Sequence, residues 1–291
     1  MVQIKPATPQ DVAEIHALWH KGFGDEAEFV NSFYRRCCRL EHTFLLREDG
    51  VLRTMIAAPL VTLCLPDGGA ADAAYLYALT TDPEARGKGY GQMLLRYVDF
   101  YLTEHRMDCV VLVPAEPSLF RFFRTAGYDA AFSLSEIELP AEQVPPAPAG
   151  TSLNRVQPEQ YNQVREARLA GTFHVAYSDA MIGFQQAMSQ ASGAGLYRLE
   201  LPHGPGCAAV ERLTDGVMLK ELLTPEEDLA AGLALVAQAE PAPRYFVRYP
   251  IFVEGFTGDY GQPFGVMKWY DQEKGARWEA EKRGYLGLAF D

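Results

Sequence analysis

The residues best able to do chemistry lie together in one stretch, Arg86-Gly87-Lys88-Gly89-Tyr90-Gly91. Alternating glycines let successive backbone N–H groups turn toward one point. The run leads into an amphipathic segment with apolar residues at Met93, Leu94, Leu95, Val98 and Leu102, so that point is also the positive end of a helix. Such a turn can cradle an anion. Its spacing differs from the common nucleotide loops, since a P-loop needs four residues between its glycines followed by Lys-Ser/Thr, and a dinucleotide fingerprint needs Gly-x-Gly-x-x-Gly. On spacing alone, an anion cradle and a plain strand-to-helix turn are equally compatible.

Other polar groups each carry two readings. Asp25 and Glu26, after Gly22-Phe23-Gly24, could hold a cationic amine, or cap a helix and decorate its first turn together with Glu28. Tyr75 and Tyr77 share a strand face with Leu79 and face either substrate or core. Glu116 follows a strand end and is either a base acting through water or a solvated loop carboxylate, and Lys220-Glu221 reads as a strand-edge pair. His16 and His20 sit four apart on one helix with no third ligand nearby in sequence. The five cysteines (Cys37, Cys38, Cys64, Cys109, Cys207) form no Cys-x-x-Cys pair. They read as reduced, mostly buried thiols, and no metal site is indicated.

The elements that must position these residues read as mixed α/β. A strand at Val2–Lys5 precedes a helix capped by Thr8 with Pro9 at its first position, whose apolar residues Val12, Ile15, Leu18 and Trp19 fall at helical spacing. A second helix is expected over about Asp25–Arg39, followed by strands at Thr43–Leu46, Val51–Leu65 and Ala73–Thr81. Then come a helix from Gly89 to His105, an apolar strand Cys109–Val113, a short helix Ser118–Thr125 and a strand from Tyr128. A strand–loop–helix–strand unit implies a parallel crossover in a mostly antiparallel sheet.

Four prolines and a glycine in 140–150 break both helix and strand, which places a linker there between a domain over 1–139 and another over 151–291. The second piece repeats the rhythm. Helices are expected at Pro158–Ala170, Ser178–Gln190 and Pro225–Ala239, and strands at Leu196–Leu201, Gly206–Leu213, Val217–Leu223, Tyr245–Arg248, Gly265–Tyr270 and Tyr285–Phe290. Met218–Pro225 followed by a helix mirrors Tyr75–Pro83 followed by one, which reads as a diverged internal duplication in which only the first copy keeps the glycine turn.

With 291 residues and 48% hydrophobic content, the chain is long enough for one large or two ordinary domains. The net charge of −12 is spread, with 13 basic against 20 acidic groups in residues 1–145 and 13 against 18 in the rest. No Lys/Arg cluster is present to displace phosphate counterions, so nucleic-acid and anionic-membrane binding are disfavoured and a cationic or neutral partner fits better. The N-terminus lacks a basic-then-apolar signal pattern and no apolar run approaches the ~18 residues that span a bilayer, so the expected location is cytoplasmic.

Leu79-Thr-Thr-Asp-Pro-Glu-Ala-Arg-Gly-Lys-Gly-Tyr-Gly-Gln-Met-Leu-Leu95 resembles the acetyl-CoA motif of the GCN5-related N-acetyltransferases (GNAT), whose core is Arg/Gln-x-x-Gly-x-Gly/Ala; here Arg86, Gly89 and Gly91 fill it. Cys109–Val113 and Leu119–Tyr128 resemble that family's next strand and helix. The duplicated plan is similar to the enhanced-intracellular-survival branch, in which a catalytic copy is followed by a degenerate one, but without that branch's sterol-carrier-like domain.

The resemblance implies an α/β (α+β) fold of two tandem domains, each a mixed, mostly antiparallel sheet flanked by helices. It implies transfer of an acetyl group from acetyl-CoA to a primary amine of a small molecule or peptide, with no resident metal. The backbone from Leu79 through Thr80 to Thr81 would pair with the pantetheine. Groups from Arg86, Gly87, Lys88, Gly89, Tyr90, Gly91 and Gln92 would hold the pyrophosphate, with Ser118 also near the cofactor. Asp25, Glu26, Tyr75 and Tyr77 would face the acceptor, while Glu116, Tyr128 and Asp291 are the candidates for proton transfer. Phe123 stands where the family has the tyrosine that protonates the departing thiolate, which leaves open a non-catalytic acyl-CoA-binding or sensing protein. The degenerate copy would complete the acceptor pocket or a subunit interface, so a homo-oligomer is compatible with this plan.

Overall fold

The computed structural model describes residues 1–256, 260–277 and 284–290. The chain divides into two compact units. The first comprises Met1–Thr62, Ala70–Ala130 and Gly265–Glu279, and the second Leu63–Gly69, Ala131–Phe264 and Ala280–Asp291.

The first unit starts with β1 (Val2–Pro6), then α1 (Val12–Phe23) and α2 (Ala27–Arg36). Thr8 opens the turn into α1 by donating from its backbone N–H (2.8 Å) and hydroxyl (2.7 Å) to the Asp11 carboxylate. Gly24, at φ +79°, closes α1 with its N–H bonded to the His20 carbonyl. There follow β2 (Thr43–Glu48), β3 (Val51–Ala57), β4 (Leu60–Cys64), β5 (Ala70–Thr81), α3 (Tyr90–Glu104), β6 (Cys109–Leu112) and α4 (Leu119–Thr125). The single strand expected over Val51–Leu65 is two strands, because Pro59 has no N–H to offer a ladder. The sheet order is β1-β2-β3-β5-β6, antiparallel except for the β5–α3–β6 parallel crossover. Leu94, Leu95, Val98 and Leu102 of α3 pack on Phe44, Leu46, Ile56, Ala74 and Val110 of the sheet to form the core.

The second unit contains β7 (Asp129–Pro140), β8 (Ser152–Arg155), α5 (Pro158–Leu169), β9 (His174–Ala176) and α6 (Asp179–Ala191). It continues with β10 (Leu196–Leu201), β11 (Gly204–Arg212), β12 (Val217–Leu223), α7 (Leu229–Ala239) and β13 (Arg244–Pro250). β14 (Tyr260–Trp269) and α8 (Gln272–Ala276) complete the described elements. The order is β8-β10-β11-β12-β13-β7, antiparallel except for the β12–α7–β13 crossover. Two helices lie between its first two strands, and a helix joins its parallel pair, as in the first unit. The internal duplication is therefore real at the level of topology.

Three readings from sequence change here. The 140–150 segment lies within the second unit, because β7 pairs β13 from Pro140↔Arg244 to Leu134↔Pro250. Gly265–Glu279 belongs to the first unit, where Val266–Trp269 runs antiparallel to β6. Finally, residues 286–290 are irregular instead of a closing strand: Gly287 turns at φ +71°, and a Cβ there would lie 2.2 Å from Glu221 Oε1.

Candidate functional site

β5 pairs β6 only from Ala73↔Cys109 to Leu76↔Leu112. On its other edge Ala57↔Tyr77 is followed by Met55↔Thr80, so β5 spends one extra residue there, with Ala78 at φ +53°. This is a β-bulge, which bends the strand. Past Leu76 the two parallel strands part, and the backbone of Leu79–Thr81 forms an edge to which an extended ligand can add as a strand. Against this segment α1 approaches very closely, since a Cβ on Gly22 would lie 2.3 Å from Thr80 Oγ1.

The chain then leaves β5 through a turn in which the Asp82 carboxylate accepts from the Glu84 N–H at 3.2 Å. Gly87 (φ +80°) and Gly89 (φ +79°) turn it into α3. A Cβ on either would meet nothing within 4 Å, so the left-handed backbone requires glycine here, without any crowding. Gly91 begins the helix beside Thr81 Oγ1 and Phe122, each 3.9 Å from where its Cβ would be, which brings the end of β5, the start of α3 and α4 together. Gln92 follows, partly exposed.

Beneath the turn Glu48 of β2 takes a salt bridge from Lys88 Nζ at 3.0 Å and a hydrogen bond from the Tyr90 hydroxyl, with Arg53 Nε at 3.6 Å. The Tyr90 bond foremost, and then Lys88, hold the Glu48 carboxyl below its usual range. Arg86, Gly87, Lys88 and Gly89 are all exposed. Sequence reasoning missed Glu48, which lies 40 residues from Lys88.

The remaining candidates are placed as follows. Glu116 and Ser118 are exposed, and the Ser118 hydroxyl donates to Glu116 Oε1. Phe123 is buried, edge-on to Phe122 (5.1 Å) and Tyr128 (5.8 Å). Tyr128 is corrected to a core residue. It is 1% exposed and donates to Asp99 Oδ1 at 3.2 Å, and burial foremost, then the Asp99 charge, push its hydroxyl well above its ordinary range. Asp25 is a structural acceptor, taking the buried Trp19 indole N–H at 2.8 Å, while Glu26 precedes α2 exposed and without a capping bond. Tyr75 is buried, and Tyr77 is stacked on Phe33 at 5.1 Å and tilted against Trp19 at 5.9 Å. Sequence reading did not bring these aromatics together, because the rings come from α1, α2 and β5. Asp291 lies outside the described residues.

The second unit treats the equivalent region differently. β12 leaves β13 after Leu219↔Val247, and the segment beyond carries Lys220 and Glu221, both buried, so they are no strand-edge pair. Glu221 accepts from Arg165 Nε at 3.1 Å and the Tyr161 hydroxyl at 2.6 Å, with neither side chain of the ion pair exposed. The following turn, Pro225-Glu226-Glu227-Asp228, has no glycine and three acidic residues. It would repel an anion.

Residues 3–131 match the family model of the acetyltransferase (GNAT) domain. This segment is a GNAT acetyltransferase domain. The parting of β5 from β6 and the Gly87–Gly91 turn both lie within this GNAT domain. No functionally curated protein matches the sequence. Among solved structures, a conserved protein of unknown function from Enterococcus faecalis is similar at 16% identity and a TM-score of 0.77, covering 93% of this chain and 73% of that one. A GCN5-related N-acetyltransferase from Anabaena variabilis is similar at 16% identity and TM-score 0.71, over 92% and 72% of the two chains. Eis1 from Mycobacterium abscessus is similar at 14% and 0.70, over 94% and 75%. At these identities the likeness establishes the fold alone. Among the described residues, no helix is long and apolar enough to cross a membrane.

Proposed function

We propose that the GNAT domain transfers an acetyl group from acetyl-CoA directly to the primary amine of a cationic small-molecule or peptide acceptor, while the second unit has no cofactor of its own. The observation that carries this reading is the parting of β5 from β6 at the Ala78 bulge, directly before a glycine turn at a helix N-terminus. The pantetheine amides would pair with backbone groups of Leu79 and Thr81 as an added strand. The pyrophosphate would accept from N–H groups of Gly87 through Gln92, with Arg86 adding charge. The neutral amine then attacks the thioester carbonyl carbon, the C–N bond forms, and the C–S bond breaks to release thiolate, while the amine's proton passes to water.

Neither Phe123 nor the buried Tyr128 supplies an acid to the thiolate. A thiolate with a free pKa near ~8.5 can leave unprotonated, at a rate lower by about 10²–10⁴ than with a positioned acid. The net charge of −12 favours a cationic acceptor over an anionic one. A second reading, acyl-CoA binding without transfer, is favoured by Phe123 alone. Thiol release from acetyl-CoA over a panel of polyamines, aminoglycosides and peptides separates the two, since binding with no release from any amine supports the second. Calorimetric titration of acetyl-CoA into wild type and Gly89→Glu tests the cofactor site, and equal binding by both refutes it.

A further inference from the structure

Away from the acetyl-transfer site, the second unit brings together three side chains that could ligate a metal. The Cys64 sulfur, a Glu166 carboxylate oxygen and a His174 ring nitrogen all lie within 4.8 Å of one another. They come from the end of β4, from α5 and from the start of β9. His174 is buried, and Cys64 and Glu166 are half-buried.

The hydrogen bonds around the cluster orient its ligand atoms toward one another. His174 Nδ1 lies 3.1 Å from the Thr172 carbonyl oxygen, and a carbonyl can only accept, so Nδ1 carries the proton. Nε2 faces Glu166 Oε2 at 3.2 Å, an ion-pair contact in which a divalent cation could take the place of the ring proton. The other Glu166 oxygen is held by Arg165 Nη1 at 2.8 Å, and that nitrogen also donates to the Val175 carbonyl at 3.0 Å. A ligand imidazole whose far nitrogen donates to a backbone carbonyl, beside a carboxylate oriented by its own partner, is the outer-shell pattern that fixes metal ligands. The ligand atoms lie no more than 4.8 Å apart, with His174 Nε2 and Glu166 Oε2 at 3.2 Å, near the roughly 3.3–3.8 Å that tetrahedral bonds of about 2.0–2.3 Å impose.

We propose that Cys64, Glu166 and His174 form a divalent zinc-type metal site in the second unit, with three protein ligands and a fourth position open to water. Thiolate, imidazole and carboxylate suit zinc among the common divalent ions, and the Cys64 thiol gives up its proton on binding. Sequence spacing could not reveal the site, because Cys64 stands about a hundred residues from the other two, unlike the short repeats of familiar zinc motifs.

The test uses the full chain. Zinc is titrated in competition with a chromophoric chelator, and cobalt is followed by its near-ultraviolet thiolate charge-transfer band. The wild type is expected to bind one zinc and to show the band. Cys64→Ser should lose the band and bind zinc at least ~100-fold more weakly, beyond the 10–100-fold typical of losing an outer-shell partner, whereas Cys37→Ser should match wild type. Should Cys64→Ser fail to fold, zinc protection of Cys64 from alkylation in the wild type, mapped by mass spectrometry, tests the same ligand. Folded wild type that takes up no zinc would overturn the site and leave a proton as the bridge between His174 and Glu166. Undiminished zinc binding by Cys64→Ser, or alkylation of Cys64 at an unchanged rate in zinc, would overturn it too.

Discussion

Gly89 and Gly91 are two residues apart in one turn, yet the structure assigns them opposite responses to a single methyl group. Gly89 sits at φ +79° with open space around its Cβ position, so Gly89→Ala meets no atom and costs only the left-handed strain, about 1–2 kcal/mol. Gly91 lies in the first turn of α3 with ordinary contacts at 3.9 Å, so Gly91→Ala should gain the helix-propensity difference, about 0.5–1 kcal/mol. At roughly 2–4 °C per kcal/mol for a domain of this size, Gly89→Ala melts ~2–8 °C lower than wild type and Gly91→Ala ~1–4 °C higher. If backbone N–H groups of this turn hold the pyrophosphate, whatever part of the roughly 1–2 kcal/mol the free turn relieves by relaxing must be restored on binding, which weakens acetyl-CoA binding by Gly89→Ala by up to about 5–30-fold. Scanning calorimetry and isothermal titration on the three proteins read both quantities. A Gly89→Ala protein that melts like wild type, its turn therefore relaxed, yet keeps an acetyl-CoA affinity within twofold of wild type would refute the turn as the phosphate site.

Three further outcomes follow from the packing. Tyr128→Phe should lose about 1 kcal/mol of stability and leave turnover unchanged, because Asp99 keeps Tyr270 at 2.7 Å and Lys268 at 2.8 Å; a tenfold fall in rate in folded protein would make Tyr128 the acid after all. Burial by itself would raise the Asp11 carboxyl, but hydrogen bonds from Thr8 and Arg47 and the Lys5 charge hold it down to about 2. Since its unfolded value is ~3.9, its contribution is complete above about pH 4 and is lost as pH falls through 2, so melting temperatures measured from pH 5 to 2 should fall less steeply in Asp11→Asn than in wild type. Glu221→Gln should cost about 3–5 kcal/mol by leaving the fully buried Arg165 under-compensated, and Arg165→Met with Glu221→Leu should recover most of it; a single variant as stable as the double would count against that account.

The turn and the elements that carry it are legible in the local sequence. Periodicity marks α3, whose start is off by one residue from the expected Gly89, and the glycines at 87 and 89 hold positive φ as their spacing suggests. These features are encoded within a few neighbouring residues, where backbone sterics and helical period act directly. The tertiary structure alone decided which side chains are spoken for. Lys88 pairs with Glu48, Tyr128 takes its core reading over its proton-donor reading, and Glu221 turns from an edge residue into the partner of Arg165. It also decided that Val266–Trp269 joins the first unit's sheet, and that Cys64 meets His174. In each case the deciding interaction spans tens to hundreds of residues, and burial or pairing at that range leaves no local mark in the chain.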